Sequence, residues 1–237
     1  MTAQPNPDKQ LEIEVDSGRY LRIPVRTRVL VAGDDLIPFV LEYAVPHAAD
    51  DDLLIISEKI VAISQGRAFP IAEVEARPLA AFLSKHVTKT GYGIGVGMPE
   101  TMEMAFREAG TPRILFAAAV AAVTKRLGRR GDFYRIAGDR VRGIDGPTAH
   151  TIPPYNEQVV LVPLKPRRVA AELKAAFAER GIALEVAIVD ANDLGVNILG
   201  TTLGRGSDEH VASLIRDNPL GQGAESTPIG IIRPSTR

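Results

Sequence analysis

The sequence predicts a mixed α/β fold of the α+β type, and three observations support this class. Short β-branched apolar runs alternate with segments of helical periodicity along most of the 237 residues. Residues 157–190 contain the strand EQVVLVP, the helical segment PRRVAAELKAAFAERG and the strand LEVAIVD, which predict a C-terminal βαβ unit with parallel strands. The composition, 45% hydrophobic and 24% charged, is that of a globular protein with a substantial core.

The domain organisation predicted from these patterns is simple. Residues 1–19 are mostly polar and are predicted to form a flexible tail. Residues 20–237 are predicted to form a single domain, built either as one body or as two interleaved lobes, because no repeat or low-complexity tract divides them.

Four other segments have the patterns of strands. Residues 20–33, YLRIPVRTRVLVAG, alternate and predict one or two strands that end at Gly33. Residues 51–57, DDLLIIS, predict a buried strand, which SEKIVAISQGR is expected to continue to a turn at Gly66. The segments FYRIAG and RVRGID predict two further strands, the second ending at Asp145.

Helical patterns cover residues 34–45, 76–86, 99–110 and 113–127. Asp34 and Asp35 are placed to cap the first of these helices. Pro99 suits the first position of the third helix, and Gly110 suits its end.

The composition also excludes several classes of function. With 28 basic and 29 acidic residues the net charge is −1, so no global charge favours nucleic acid or an anionic membrane. The absence of cysteine excludes disulfides and thiolate chemistry. The first ten residues lack a signal-peptide pattern, and the longest apolar run, ILFAAAVAAV, is too short to span a bilayer. We therefore expect a cytoplasmic protein that acts on a small molecule.

A glycine-rich segment, TGYGIGVGMPE, precedes the helix that begins at Pro99. Its glycines let the backbone approach a ligand closely, and a helix N-terminus favours anions, so Gly91, Gly93, Gly95 and Gly97 are candidates for a substrate or phosphate loop. A tight turn whose glycines serve only packing is an equal alternative. A nicotinamide oxidoreductase is the least favoured interpretation, because the preceding FLSKHVTKT is polar and no acidic residue follows about 20 residues later.

Two aspartates end predicted strands, Asp145 after RVRGID and Asp190 after LEVAIVD. Ligands of open α/β sheets bind at strand ends, and carboxylate oxygens suit magnesium or manganese, so the pair predicts a metal–nucleotide site. Either aspartate alone is better explained as a turn residue, and only the pair favours a functional site. Gln222 and Glu225, in the glycine loop before the last apolar segment, could supply further oxygen ligands.

The order of several motifs resembles the coenzyme F420-0:gamma-glutamyl ligase family. These motifs are AGDDL, DDLLIISEKIVAISQGR, GID, the VD that ends LEVAIVD, and GQGAE followed by PIGIIRP; the resemblance runs from about Ile23 to Pro234. It implies that family's fold with mixed sheets and a homodimer. It also implies the amide coupling of L-glutamate to a deazaflavin coenzyme, with GTP and a divalent metal.

The resemblance also implies roles for individual residues. Asp145 and Asp190 would be metal ligands, with Gln222 as another ligand. The positions that match nucleotide-binding stretches of the family are Arg28, Val29, Leu30, Val31, Glu58, Lys59, Thr148, Gly221 and Gly223. No residue is assigned as a catalytic base.

The chain departs from the family pattern at four positions. Ile63 replaces the lysine of a KAEGR-like turn, and Thr148 replaces an asparagine. Ala191 and Leu194 replace the threonine and arginine of a TDTxGR segment. We therefore expect a metal-dependent and nucleotide-dependent ligase that joins an amino acid to a small carboxylate through an acyl phosphate, using GTP or another nucleoside triphosphate and an acceptor that can differ from the deazaflavin. The alternative is a homologue that binds a nucleotide or metabolite without ligase turnover.

Overall fold

The structure is a computed structural model that describes residues 4–87, 95–149, 151–192, 195–221 and 223–235. It contains the strands β1 (Glu12–Val15), β2 (Gly18–Val25), β3 (Leu53–Ser57), β4 (Ala68–Pro70), β5 (Gln158–Val160), β6 (Glu185–Asn192), β7 (Gly195–Thr201) and β8 (Ile229–Ser235). The helices are α1 (Leu36–Ala44), α2 (Glu58–Ser64), α3 (Pro78–Ser84), α4 (Pro99–Ala109), α5 (Thr111–Arg126), α6 (Asp132–Ala137), α7 (Asp139–Arg142), α8 (Pro166–Ala178) and α9 (Asp208–Leu214).

The chain divides into two compact units. The first unit comprises residues 1–66 and 163–237, and the second comprises residues 67–162. Within the described residues no helix is both long and apolar enough to cross a membrane.

The first unit is built on a mixed six-stranded sheet with the order β1-β2-β8-β3-β6-β7. β3 and β6 run parallel, and the other neighbouring strands pair antiparallel. One face of the sheet packs against α9 through a core that includes Ile55, Val189 and Leu214. Side chains alternate along a strand, so the even-numbered residues of β6 lie on the opposite face from Val189.

The second unit is mainly helical. A two-stranded antiparallel sheet pairs β4 with β5, and α3 to α7 supply most of the remaining structure. Its core contains Met102, Met104, Phe106 and Ile114, which are almost completely buried. α5 buries only Ile114 and Ala117, and it leaves the apolar side chains Leu115, Phe116 and Val123 exposed, as is Leu127 at its C-cap.

The α+β class and the mixed sheet are confirmed. α1 begins after the cap Asp35, whose carboxylate accepts the N–H of Ile37 at 3.2 Å. α4 begins at Pro99 and ends at Gly110, as predicted. These helices were predictable because each has a local signal at its end.

The predicted C-terminal βαβ unit is wrong in its pairing. The strand, helix and second strand form as β5, α8 and β6, but β5 pairs with β4 while β6 pairs in parallel with β3. The pairing of strands that are far apart in sequence depends on side-chain packing throughout the core, and a local sequence pattern does not specify it.

Three segments predicted as strands are helices. SEKIVAISQGR forms α2, while FYRIAG and RVRGID form α6 and α7. In α6 and α7 an aspartate lies in the first turn and arginines in the last turn, which favours a helix through its dipole. The short apolar run of α2 is compatible with either structure on periodicity alone.

The segment predicted as a flexible tail contributes to the first unit. Residues 12–15 form β1, paired with β2. Asn6 is buried, and its Nδ2 donates to Pro219 O and Thr227 Oγ1, both at 2.9 Å. The polar residues of this segment predicted a tail, but one of them, Asn6, makes the hydrogen bonds that attach the segment to the loop before β8.

Candidate functional site

Several strand ends meet at one end of the six-stranded sheet. β3 and β6 are parallel, and Ser57 lies opposite Val189 where β3 ends. β8 is antiparallel to both β2 and β3, so its first residue, Ile229, lies beside Val25 and Ile56. We call this the carboxyl end of the sheet, because β2, β3 and β6 finish here.

The segments that leave or enter the sheet at the carboxyl end carry most of the predicted site residues of the first unit. They are residues 26–35, the start of α2, the end of β6 and the loop that precedes β8. The predicted residues on them are Arg28, Val29, Leu30, Val31, Glu58, Lys59, Asp190, Gly221, Gly223 and Glu225. The sheet topology therefore brings these residues to one end of one sheet.

Asp190 lies on β6 beyond the last paired residue of β3. It is half-buried, and the Nδ2 of Asn192 is 3.5 Å from its Oδ1. Ala191 lies on the other face of the strand and packs against the core that contains Val189. The replacement of the family's threonine by Ala191 thus places a methyl group against the core.

The loop after β2 is held by an ion pair between Arg28 and Asp34. Arg28 Nη1 and Nη2 donate to the two oxygens of Asp34 at 2.5 and 2.9 Å, and the Val31 N–H donates to Asp34 Oδ2 at 2.8 Å. These hydrogen bonds lower the pKa of Asp34 to about 2. The Arg28 guanidinium also lies over the ring of Phe39, 5.0 Å from its centre.

The loop before β8 is joined to the loop after β2. Thr27 N–H donates to Ser226 O at 2.8 Å, and Ser226 Oγ donates to Thr27 O at 2.9 Å. Thr227 is buried, and its Oγ1 donates to Leu220 O at 2.6 Å. The two loops are therefore positioned together at the carboxyl end.

Glu225 closes the GQGAE turn on itself. The Gly223 N–H donates to Glu225 Oε2 at 2.7 Å. A side chain at Gly221, whose φ is +80°, would place its Cβ 2.9 Å from the same oxygen. Gly221 is therefore favoured by its backbone conformation, and a Cβ there would also displace the carboxylate of Glu225.

Glu58 and Lys59 occupy the first turn of α2, where both side chains are half-buried. Ile63 lies one helical turn beyond Lys59 on the same side of the helix and is only 3% exposed. A lysine at this position would have to bury its ammonium group or extend it out of the core. The family's lysine position is therefore part of the core in this chain.

Asp145 and Thr148 belong to the second unit. Asp145 does not end a strand, since it follows α7 and forms an isolated antiparallel bridge with Val160, with both N–H to O distances at 2.9 Å. Its side chain is exposed. Thr148 O accepts the Thr151 N–H at 3.1 Å, which closes a turn.

The end of the glycine-rich segment has a clear packing function. A Cβ at Gly95, whose φ is +49°, would lie 2.7 Å from the hydroxyl of Tyr134. That hydroxyl is 3.4 Å from the Val96 N–H, and burial raises the pKa of Tyr134. Gly95 is therefore explained by the approach of Tyr134.

The start of α4 is less suited to an anion than its position suggested. Thr101 Oγ1 accepts the Met98 N–H at 3.3 Å and donates to Met98 O at 3.1 Å. Pro99 has no N–H, and Glu100 places a carboxylate in the first turn. The described part of the segment, which includes Gly97, thus favours the turn interpretation.

Four of the residues singled out from the sequence lie outside the described residues: Gly91, Gly93, Leu194 and Gln222. Their assignments stay predictions.

Charged groups that the sequence did not single out hold the second unit together. Arg67 and Glu108 pair at 2.7 Å with side chains only 12% and 11% exposed. Glu103 is buried and accepts two hydrogen bonds at 2.8 Å from Arg77. Burial alone would raise the pKa of Glu103, but the Arg77 hydrogen bonds outweigh it and lower that pKa. Only proximity in the fold distinguishes these residues from other charged residues.

The carboxylate groups at the carboxyl end of the sheet are of the type that binds hard divalent cations. Asp190 and Glu225 offer carboxylate oxygens, the ligands that magnesium and manganese prefer. Within the described residues, no group of three or more histidine, aspartate or glutamate side chains is arranged to hold a metal ion. A cation here would therefore use few ligands from the described residues, as magnesium does when it also binds substrate phosphates.

The mixed sheet, with acidic and basic side chains gathered at its carboxyl end, defines an α+β protein with a candidate ligand site in its first unit. The model of the F420-0:gamma-glutamyl ligase family matches residues 24–203. Of the six-stranded sheet, this range contains β3, β6 and β7 and the end of β2. The chain belongs to this family, and its membership supports an enzyme of the ligase class. A comparison with curated proteins found no match.

Proposed function

We propose that the protein is a metal-dependent and nucleotide-dependent ligase that joins an amino acid, glutamate by family resemblance, to a small carboxylate through an acyl phosphate. The observation that carries the proposal is the gathering of Arg28, Glu58, Lys59, Asp190 and Glu225 at the carboxyl end of a single sheet. Family membership supports the ligase class, since the matched model is that of a gamma-glutamyl ligase.

The nucleotide is proposed to bind through the loop after β2 and the loop before β8. The Arg28 guanidinium is about half exposed and held in place by Asp34, so it can contact a phosphate without first becoming ordered. Gly221 and Gly223 lie in the loop at the same end, but their N–H groups donate to Asn218 O and Glu225 Oε2, so the proposed phosphate contact rests on Arg28. GTP is the first candidate by resemblance.

Asp190 is proposed as a metal ligand, with Glu225 as a further oxygen donor. A bound magnesium or manganese ion supplies charge neutralisation for the phosphate oxygens. The described side chains supply the binding and the orientation of the reactants.

The proposed reaction has two steps that balance without a redox partner. A carboxylate oxygen of the acceptor attacks the terminal phosphorus of the nucleoside triphosphate, and the nucleoside diphosphate leaves. The amine nitrogen of the amino acid then attacks the acyl carbon, a proton leaves the nitrogen, and phosphate departs with the electrons of the C–O bond. Positioning and electrostatic stabilisation are the main contributions that a protein makes to such transfers.

A second candidate function is a nucleotide-binding or metabolite-binding homologue without turnover. Two observations favour it: Ile63 is buried where the family has a lysine, and Ala191 packs against the core where the family has a threonine. Both changes remove a polar group while the carboxylate of Asp190 is kept.

We also propose a homodimer, as the resemblance implies. The exposed apolar side chains of α5 and its C-cap, among them Phe116 and Leu127 at 63% and 75% exposure, support a contact with a second copy. Light scattering after gel filtration is expected to give twice the mass of 25.5 kDa, and replacement of Phe116 and Leu127 by serine is expected to give the monomer.

The experiment that tests the proposed function is a thermal-shift panel of GTP, ATP, GDP, NAD and the deazaflavin coenzyme, each with and without manganese. A ligand at about 100 times its dissociation constant should raise the melting temperature by roughly 5–10 °C. A metal-dependent shift with one nucleoside triphosphate, followed by phosphate release that depends on an amino acid and an acceptor, supports the ligase. Binding without any such release supports the second candidate, and a shift with NAD alone contradicts the ligase.

A further inference from the structure

The ion pair between Arg28 and Asp34 is unusual in how much of the local structure it organises. Asp34 accepts from both terminal nitrogens of Arg28 and from the Val31 N–H. Arg28 Nη1 also lies 3.2 Å from Val29 O. One carboxylate therefore fixes the guanidinium and the backbone of the loop at the same time.

The guanidinium of Arg28 also lies over an aromatic ring. Arg28 lies 5.0 Å from the ring centre of Phe39, which is itself buried on α1. A guanidinium has five N–H donors, and the bonds to Asp34 and Val29 use three of them. The group is thus oriented but still carries hydrogen-bonding capacity for an anion.

Stability does not account for this arrangement. The side chains of Arg28 and Asp34 are 48% and 20% exposed, and ion pairs that reach solvent contribute little to folding because water screens them. The neighbouring Asp35 already caps α1. The pair holds Arg28 in a single orientation at the carboxyl end of the sheet. The loop before β8 lies beside it, because Ser226 of that loop donates a hydrogen bond to Thr27 O.

We propose that Asp34 is a positioning residue that orients Arg28 toward the phosphate groups of a bound nucleoside triphosphate. The inference rests on the proposed function, because it assumes that a nucleotide binds at the carboxyl end. It adds a role for Asp34, which acts through Arg28 and does not itself contact the anion.

The test is a double-mutant cycle with Arg28→Ala, Asp34→Asn and the combination of both. The readouts are the dissociation constant of GTP with magnesium, measured by titration calorimetry, and the KM and kcat of phosphate release. Asp34→Asn is expected to weaken GTP binding and raise KM by about tenfold with kcat nearly unchanged, because the interaction lost is one of binding. In the Arg28→Ala background the same change is expected to have less than about a twofold effect, because the two residues act as a unit.

The matched control is Asp35→Asn, one residue along the chain. Asparagine is as good a helix cap as aspartate, so this variant should bind GTP as the wild type does. If Asp34→Asn keeps the wild-type affinity, or weakens binding equally with and without Arg28, the positioning role is overturned while the proposed function stands. If the wild type binds no nucleoside triphosphate, the proposed function fails, and the inference fails with it.

Discussion

The two units of the chain use similar residue types for different purposes. In the first unit, Gly221, Gly223 and charged side chains lie at the carboxyl end of the sheet. In the second unit, Gly95 makes room for Tyr134, and the charged residues Arg67, Glu103 and Glu108 pair within the fold. Glycines and charges therefore indicate a ligand site only where the sheet topology gathers them at one end.

The difference matters most for the glycine-rich segment that precedes α4. From the sequence it was a candidate for a substrate or phosphate loop, whereas Gly221 and Gly223 were nucleotide-binding candidates by resemblance. The described part has a tyrosine hydroxyl against Gly95 and a carboxylate, Glu100, in the first turn of the following helix. Substitutions in the second unit are therefore expected to alter stability, and substitutions at the carboxyl end are expected to alter ligand binding as well.

The largest effect is expected from Glu108→Ala in the second unit. It leaves the Arg67 guanidinium, only 12% exposed, without its carboxylate partner, and uncompensated buried charges cost about 3 kcal/mol or more. Urea denaturation should show this loss, while any nucleotide-dependent shift in melting temperature should stay the same. The control is Asp139→Ala, whose ion pair with Arg142 is exposed and should cost at most about 0.5 kcal/mol.

A matched pair of glycine substitutions tests the assignment of each loop. Gly95→Ala and Gly221→Ala both place a Cβ at positive φ within 3 Å of an oxygen, and each should cost about 1–2 kcal/mol of stability. Only Gly221→Ala should also weaken nucleotide binding, because it displaces Glu225 at the carboxyl end. An equal loss of binding in both variants would contradict the distinction between the loops.

The Tyr134→Phe background sharpens that experiment. Removing the hydroxyl removes the atom 2.7 Å from the new Cβ, so Gly95→Ala should cost less in this background than in the wild type. The remaining cost measures the backbone conformation alone. An unchanged cost would mean that Tyr134 does not require the glycine.

A smaller effect is expected in the pH dependence of stability, and both units should contribute to it. The pKa of Glu103 and the pKa of Asp217 are lowered in the folded state, in each case by arginine hydrogen bonds that outweigh burial. A lowered folded pKa gives stability that is present above the unfolded value and lost as the pH falls through the folded value. Stability should therefore decrease below about pH 4.5, and Glu103→Gln should remove part of that decrease in urea titrations between pH 3 and pH 6.

The sequence predicted the helices whose ends carry local signals. Asp35 marks the start of α1, and Pro99 and Gly110 bound α4. It failed for α6 and α7, which are only six and four residues long and too short for a helical period to appear. The parallel pairing of β3 with β6 joins residues more than 130 positions apart, and no local pattern encodes such a partner.

The site was predictable only in part for the same reason. Asp190 and Glu225 were identified as oxygen donors from their types and positions, and the family resemblance added Arg28, Glu58 and Lys59. Asp34 was identified only as a helix cap, although the cap is Asp35 and Asp34 pairs with Arg28. That contact depends on the loop conformation that brings Asp34 back to Arg28, six residues earlier. The motif AGDDL does not specify this conformation.

The most direct test of a metal–nucleotide site at the carboxyl end compares the wild type with Asp190→Asn, with Asp50→Asn as the control. Asp50 accepts the Ala183 N–H at 2.8 Å beyond the opposite end of the same sheet, so its change tests for general effects of losing a carboxylate. With GTP at about 100 times the dissociation constant, the wild type and Asp50→Asn should gain roughly 2.7 kcal/mol of stability when manganese is added. Asp190→Asn should gain almost none. Full manganese-dependent stabilisation of Asp190→Asn would contradict the central claim.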